Sequence, residues 1–301
     1  MATYYSQEYP FGSPVVSGND ITVDMMLNQP TKINGYLSNI VRTKYFADLI
    51  FTNGGGVSGG ALIVTQVAKT TGLPTRRAQE VSPGSEFPEV TFDRPAPITK
   101  QVTKIGGKFR VTDEARDRND LSAVQSEGLI LGQDLVDQLH ARALTELEAS
   151  ITAIGSDVQM GGTSWSDAAG LTLTTTANNL LPFADFANIR KRAEILGLGI
   201  TYNVIILHPD EYANLEIITQ GHAAEFLRAQ GFEAVQSTLV TAGSAYVVQK
   251  GMVGQVRYEQ PLQTITTRDE LTESTWVKSS VRWVYGVVNP YAAIKVTGLA
   301  S

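Results

Sequence analysis

The chain contains no cysteine, which removes disulfides, thiolate metal sites and cysteine nucleophiles together. Histidine occurs only as His140, His208 and His222, and no pair stands at metal-ligand spacing with nearby carboxylates. Basic charge is in deficit: 24 Lys and Arg against 30 Asp and Glu leave a net charge of −6, with no footprint for tight nucleic-acid binding. No apolar run reaches the ~18 residues of a membrane span. Met1 to Ser6 lacks the basic start and apolar core of a secretory signal. These absences point to a soluble protein made and used in a cytoplasm. What is present, 43% hydrophobic and 18% charged residues over 301 positions, is the composition of a folded chain of one large or two modest domains.

The most organised stretch runs from Lys100 to Ile151. Residues 100–111 have strand composition, and the Gly106-Gly107 pair inside them predicts a bend or bulge. Thr112 is placed to cap a short turn, with Asp113 and Glu114 at the positive end of a helix dipole. From Asp120 onward, Leu121, Val124, Gly128, Leu131, Leu135, Leu139 and Leu147 share one stripe at helical spacing, while Glu127, Asp134, Asp137, Arg142 and Glu146 lie mostly off it. A helix from Leu121 to Ala149 would be about 40–45 Å long. One narrow apolar stripe on so long a helix describes a spine packed on one side and wet on the other.

Residues 1–45 read as an arm. Tyr4, Tyr5, Tyr9, Pro10, Phe11, Pro14 and Pro30 are scattered among polar residues, and only Val23–Leu27 and Tyr36–Phe46 suggest short ordered pieces. So few apolar groups cannot close a core. Two readings stand: an extended segment lying on its own subunit or a neighbour, and a disordered terminus. Next, Gly56-Val-Ser58-Gly-Gly60 matches the hydrolase nucleophile pattern. A strand follows at residues 61–67 rather than the helix that chemistry requires, and no helix N-terminus is there to hold a phosphate. A glycine hinge fits better. Ala61–Val67 then leads out and Phe92–Val111 returns, as a two-stranded excursion whose proline- and glycine-rich tip resists regular pairing. Loops this long are functional or disordered. Arg76, Arg77, Glu80, Glu86 and Glu89 suit charged contacts with another subunit; a merely solvated loop is the competing reading.

After the spine, residues 158–181 read as turns with short strands, and the pattern then becomes α/β. Phe183, Phe186, Ile189, Ala193 and Leu196 share a helix face that stops at Gly197. Asn203–His208 reads as a buried strand, residues 210–219 as a helix, and residues 246–258, 264–268, 276–285 and 294–296 as further strands. Catalytic chemistry is hard to place. His140 reads as a packed or solvated helix residue and His208 as a satisfied strand-end residue. Glu146 and Glu148 point to different sides of a helix and cannot form one acid pair. No enzyme, cofactor or metal is expected.

In this order of parts the chain resembles the major capsid protein of tailed bacteriophages, the fold named after phage Hong Kong 97. Local wording resembles it too: Glu86-Phe-Pro-Glu89, Phe109-Arg-Val-Thr-Asp-Glu-Ala115, and Val287-Val-Asn-Pro-Tyr-Ala-Ala-Ile294. The resemblance implies an α+β fold with an N-terminal arm and glycine hinge at 1–60 and an extended β-hairpin loop at 61–111. A peripheral domain with the spine helix would span 112–179 and 249–285, and an axial domain 180–248 and 286–301. It implies self-assembly as hexamers and pentamers into an icosahedral shell around double-stranded DNA, built in the bacterial host cytoplasm and residing in the virion. The partners implied are the chain itself, a portal, a decoration protein in some phages, and DNA through weak non-specific contact, with no membrane. Because the arm begins soon after Met1, a separate scaffolding protein is expected. Some members join a loop lysine to a neighbour's asparagine. Here the loop interior offers only Lys69, and beyond Asn214 the only asparagine is Asn289, so no covalent cross-links are expected. The rivals are an encapsulin-type compartment, whose usual N-terminal cargo helix does not fit Pro10 and Pro14, and a serine hydrolase using Ser58.

Overall fold

The structure, a computed structural model, describes residues 46–69, 78–90, 95–118, 121–166, 170–172 and 176–300, with positions 23, 27–28, 30–31, 33–35 and 37 of the arm. Its axis is a helix, as the apolar stripe predicts. Thr112 caps a short helix α1 (Asp113–Asp117) by accepting from the Ala115 amide at 3.4 Å. Helix α2 (Leu121–Ile154) follows, and its 34 residues give a length of about 51 Å. Positions 128, 132, 135–136, 139–140, 143–144, 147 and 150–151 are buried, which is one stripe at i, i+3, i+4 spacing. The helix runs past Ala149 because Ile151 continues the stripe, and it stops at Gly155, whose φ of 81° a side chain would resist.

Two sheets flank this helix. The first contains β1 (Phe51–Gly56), β4 (Thr103–Thr112), β9 (Gly254–Asp269) and β10 (Ser274–Val287) in the order β1-β9-β10-β4. Strands β9 and β10 form one long antiparallel hairpin, β4 runs antiparallel to β10, and β1 runs parallel to β9. Among the described residues β1 pairs with β9 only as far as Tyr258, and Pro261 sits where the β9–β10 register shifts, a position that tolerates its missing donor. Between them in the chain, β2 (Ala61–Val64) and β3 (Ile98–Gln101) pair antiparallel as a separate two-stranded ladder.

The second sheet is mixed, with β5 (Gln159–Gly161), β6 (Val204–Leu207), β7 (Glu233–Gln236), β8 (Ser244–Val248) and β11 (Ala293–Thr297) in the order β5-β11-β8-β6-β7. Its helices are α3 (Pro182–Leu196), α4 (Pro209–Ile218) and α5 (Ala223–Ala229). Phe186, Ile189, Ala193 and Leu196 of α3 are buried as their spacing requires, and all four residues of β6 are buried. One continuous core joins the C-terminal part of α2 to both sheets, through Leu147 and Ile151, the β6 and β8 side chains, and Trp283 and Tyr285 of β10.

Three expectations need correction. Gly106-Gly107 does not break its strand: β4 keeps its register with β10 through both glycines. They are there for close approach, since a Cβ would lie 2.6 Å from the Ser279 carbonyl oxygen at Gly106 and 2.3 Å from Leu131 Cδ1 at Gly107. The excursion is paired over only four residues on each side, and β4 belongs to the large sheet rather than to the hairpin. In the arm, the described positions 23, 27, 30–31, 33–35 and 37 are helical rather than extended. Val23, Leu27, Ile33 and Leu37 are buried against Phe109, Val111 and Val277 of this same subunit. Residues 1–22, and with them the tyrosines and Pro10 and Pro14, lie outside the described residues.

Candidate assembly surfaces

The loop between β2 and β3 is anchored at its base and bare at its tip. Leu62 and Val64 pack on Val284 of β10. Gly286 leaves room for them, since a Cβ there would meet Val64 at 2.7 Å and Leu62 at 2.8 Å. The Val67 amide donates to the Val288 carbonyl at 2.7 Å, and the Val102 amide to Gly60 at 2.9 Å. Lys100 pairs with Glu146 of α2 at 2.6 Å, and Arg142 reaches the other oxygen of the same carboxylate at 3.3 Å. Farther out, Lys69 pairs with Asp157 at 3.1 Å, just beyond the end of α2.

At the tip, Ser82-Pro-Gly-Ser85 is a type II turn. The Ser85 amide donates to the Ser82 carbonyl at 3.0 Å, Pro83 takes the second position, and Gly84 takes the third with φ 84°. Glu80, Glu86 and Glu89 are all exposed, and Phe87 is 83% exposed among them. Arg76 and Arg77 lie outside the described residues.

A second projection is the β9–β10 turn. Asp269 accepts there from the Leu271 amide at 3.1 Å, the Thr272 hydroxyl at 2.8 Å and the Trp276 indole at 3.3 Å. The Thr272 hydroxyl, then the Trp276 indole, hold its carboxyl below the usual range. Arg268 clasps Asp113 at the start of α1, with one contact at 2.6 Å, and lowers that carboxyl likewise. The turn held by these bonds presents Leu271 at 96% exposure.

The titratable residues singled out from the sequence have structural partners. His140 is 3% exposed, stacks on Phe46 with ring centres 4.0 Å apart, and accepts from the Phe46 amide at 3.0 Å. Burial lowers its pKa to about 4. His208 caps α4 by accepting from the Asp210 amide at 3.3 Å. Glu146 and Glu148 serve opposite flanks, with Glu148 paired to Lys295 of β11. Ser58 is exposed, and a strand, β2, follows it instead of a helix. Among the described residues no cluster of acids and histidines could hold a metal ion, and no helix is long and apolar enough to cross a membrane. Sequence reasoning missed Asp185, which is 2% exposed. It accepts from the Thr163 hydroxyl at 2.7 Å and the Trp165 indole at 2.9 Å, pinning the Gly161–Trp165 turn to α3.

A family model described as phage capsid protein matches residues 96–296, from the foot of β3 through β11. The chain belongs to that family. It is a structural shell subunit, and the cargo-compartment and hydrolase readings are not favoured. No curated protein sequence matches it. Solved structures share the fold of this capsid protein. The virus-like particle from Pyrococcus furiosus matches with a TM-score of 0.59 at 13% identity, covering 88% of this chain and 98% of that one. The capsid of cyanophage P-SCSP1u gives 0.58 at 14% identity, covering 83% and 88%. The protein of Mycobacterium phage Adephagia gives 0.59 at 14% identity, covering 84% and 90%. The fold is therefore the Hong Kong 97 type expected from the order of parts. The loop tip at residues 78–90 lies outside the family match, so its role must be argued from its own chemistry.

Proposed function

We propose that this capsid protein associates as hexamers and pentamers into an icosahedral shell around the double-stranded DNA of a tailed phage. It does so without enzymatic activity, in the cytoplasm of the bacterial host. The observation that carries this reading is the loop: more than thirty residues between β2 and β3, fixed at the base and bare at the tip. A monomer has no use for such a projection, whereas a shell needs long segments that bridge subunits. Glu80, Glu86 and Glu89, with Arg76 and Arg77, act as the charged contacts. The domains follow the same logic: arm and hinge 1–60, loop 61–111, a peripheral part 112–179 with 249–285, and an axial part 180–248 with 286–301. Three strands cross this division: β1 and β4, within the arm and loop ranges, pair with β9 and β10, and the short β5 pairs with β11 of the axial sheet.

A net charge of −6 lets the wall hold DNA without adhering to it. A separate scaffolding protein sets shell size, a portal occupies one vertex, and a decoration protein can add stability. Covalent cross-linking is not part of the design. Lys69 is paired with Asp157, and the Asn289 side chain caps the turn at Pro290–Ala292. Electron microscopy of the chain expressed alone, then with neighbouring virion genes, tests the reading. Shells or capsomers are expected, and a persistent monomer under both conditions refutes it. Shells carrying a host enzyme instead of DNA would favour the cargo compartment. Deleting residues 72–85 abolishes shells while leaving a folded subunit.

A further inference from the structure

Between the end of α2, the edge strand β5 and the outer face of α3 lies a cleft of about 610 Å³. Among the described residues, Lys69, Lys191 and Arg192 line it against the one carboxylate of Asp157, so this wall is basic on a chain that is acidic overall. Arg192 is fixed in place by donating to the Ser156 carbonyl, and Lys191 is exposed. Beside them on α3, Ile195 is 69% exposed. Asn188, Lys191 and Ile195 stand at i, i+3, i+7 and so form one face. An isoleucine bare on a basic helix face is a surface shaped for an acidic partner carrying a large apolar side chain.

The same chain carries that partner. Its loop tip presents Phe87 between Glu86 and Glu89, with Glu80 nearby, on a segment whose shape the Ser82–Ser85 turn and Pro88 restrict before contact. Restriction in advance lowers the entropy lost on docking. None of residues 78–90 lines the cleft within the subunit, so the complementary surfaces are left for different copies. We propose that the Glu86-Phe-Pro-Glu89 tip of one subunit docks in the Lys191–Arg192–Ile195 cleft of a second copy. Phe87 covers Ile195, and the two carboxylates meet Lys191 and Arg192. The inference rests on the shell-forming reading and supplies the loop with its receiving surface. The contact is salt-sensitive at its rim, because exposed charges are screened within about 8–10 Å at ordinary ionic strength.

The absence of cysteine makes the test clean. Phe87→Cys combined with Ile195→Cys, assembled under reducing conditions, oxidised and run on a non-reducing denaturing gel, is expected to give a ladder above the monomer. Neither single variant gives one. Assembled particles whose subunits stay monomeric, or that give only internally looped monomers, overturn the proposal. A second test does not depend on thiols. Glu86→Lys with Glu89→Lys is expected to cut shell yield by about tenfold or more, and adding Lys191→Glu with Arg192→Glu restores it. Undiminished yield in the first variant, or no restoration in the combination, likewise overturns it. Failure of the unaltered chain to form shells would instead strike the function proposed above.

Discussion

His140 should make the unassembled subunit acid-sensitive in a window where carboxylates alone would not. Its ring is neutral in the fold, where burial brings its pKa from 6.5 to about 4, and Nε2 must stay unprotonated to accept from the Phe46 amide. The unfolded chain binds this proton more readily, so stability falls as pH falls. The contribution is fully present above pH 6.5, erodes below it, and is gone once the pH passes about 4. At 1.36 kcal/mol per unit the full loss is about 3 kcal/mol, of which about 2 kcal/mol falls between pH 7.5 and 5.0. The assay is urea unfolding of the subunit at those two pH values, for the wild type and for His140→Gln. Glutamine keeps an acceptor but takes up no proton, and other titrating groups are common to both proteins. The variant should therefore lose about 2 kcal/mol less on acidification. An identical pH slope in the two proteins would refute the argument.

Asp185→Ala strands the buried Trp165 indole and the Thr163 amide. It should cost about 3–4 kcal/mol, read as a lower urea midpoint with a red shift in tryptophan emission. Gly106→Ala meets the Ser279 carbonyl oxygen at 2.6 Å, whereas Gly107→Ala meets the end of the Leu131 side chain at 2.3 Å. The first should cost about 2–3 kcal/mol and the second about 1 kcal/mol, because a side chain can turn aside and a paired strand cannot. Thermal unfolding in the reverse order would undo that reasoning. Glu146→Ala releases both Lys100 and Arg142, so it should destabilise by about 1–2 kcal/mol and speed proteolysis within the loop more than Lys100→Ala does.

The parts of this molecule written in local chemistry could be read directly. Thr112 caps α1, Gly197 closes α3, and the stripe on α2 marks its buried side. Gly155 was an available stop signal for α2; ending the helix at Ala149 overlooked that Ile151 still belonged to the stripe. What the sequence hid was set by distant partners. Nothing near Gly106-Gly107 announces that Ser279 and Leu131 will press on those positions. Asp185 looks like an ordinary first-turn acid of α3 until Trp165 is folded onto it, and Arg268 finds Asp113 only after the hairpin has formed. The loop tip was legible as charge. Its receiving cleft was not, because Lys69, Asp157 and Lys191 are brought together only by folding.

One mechanical consequence follows from the two neighbouring acids of the spine. Two positions along an α-helix turn it by about 200°, so Glu146 grips Lys100 on one flank while Glu148 grips Lys295 on nearly the opposite one. A rod held from both sides cannot roll about its own axis without stretching one grip. Nearer the N-terminal end of the helix, Leu129 and Ile130 are exposed. Rotation of α2 about its axis therefore has to lengthen one of these two ion pairs, so the C-terminal half of the helix couples the β3 side of the subunit to the β11 side.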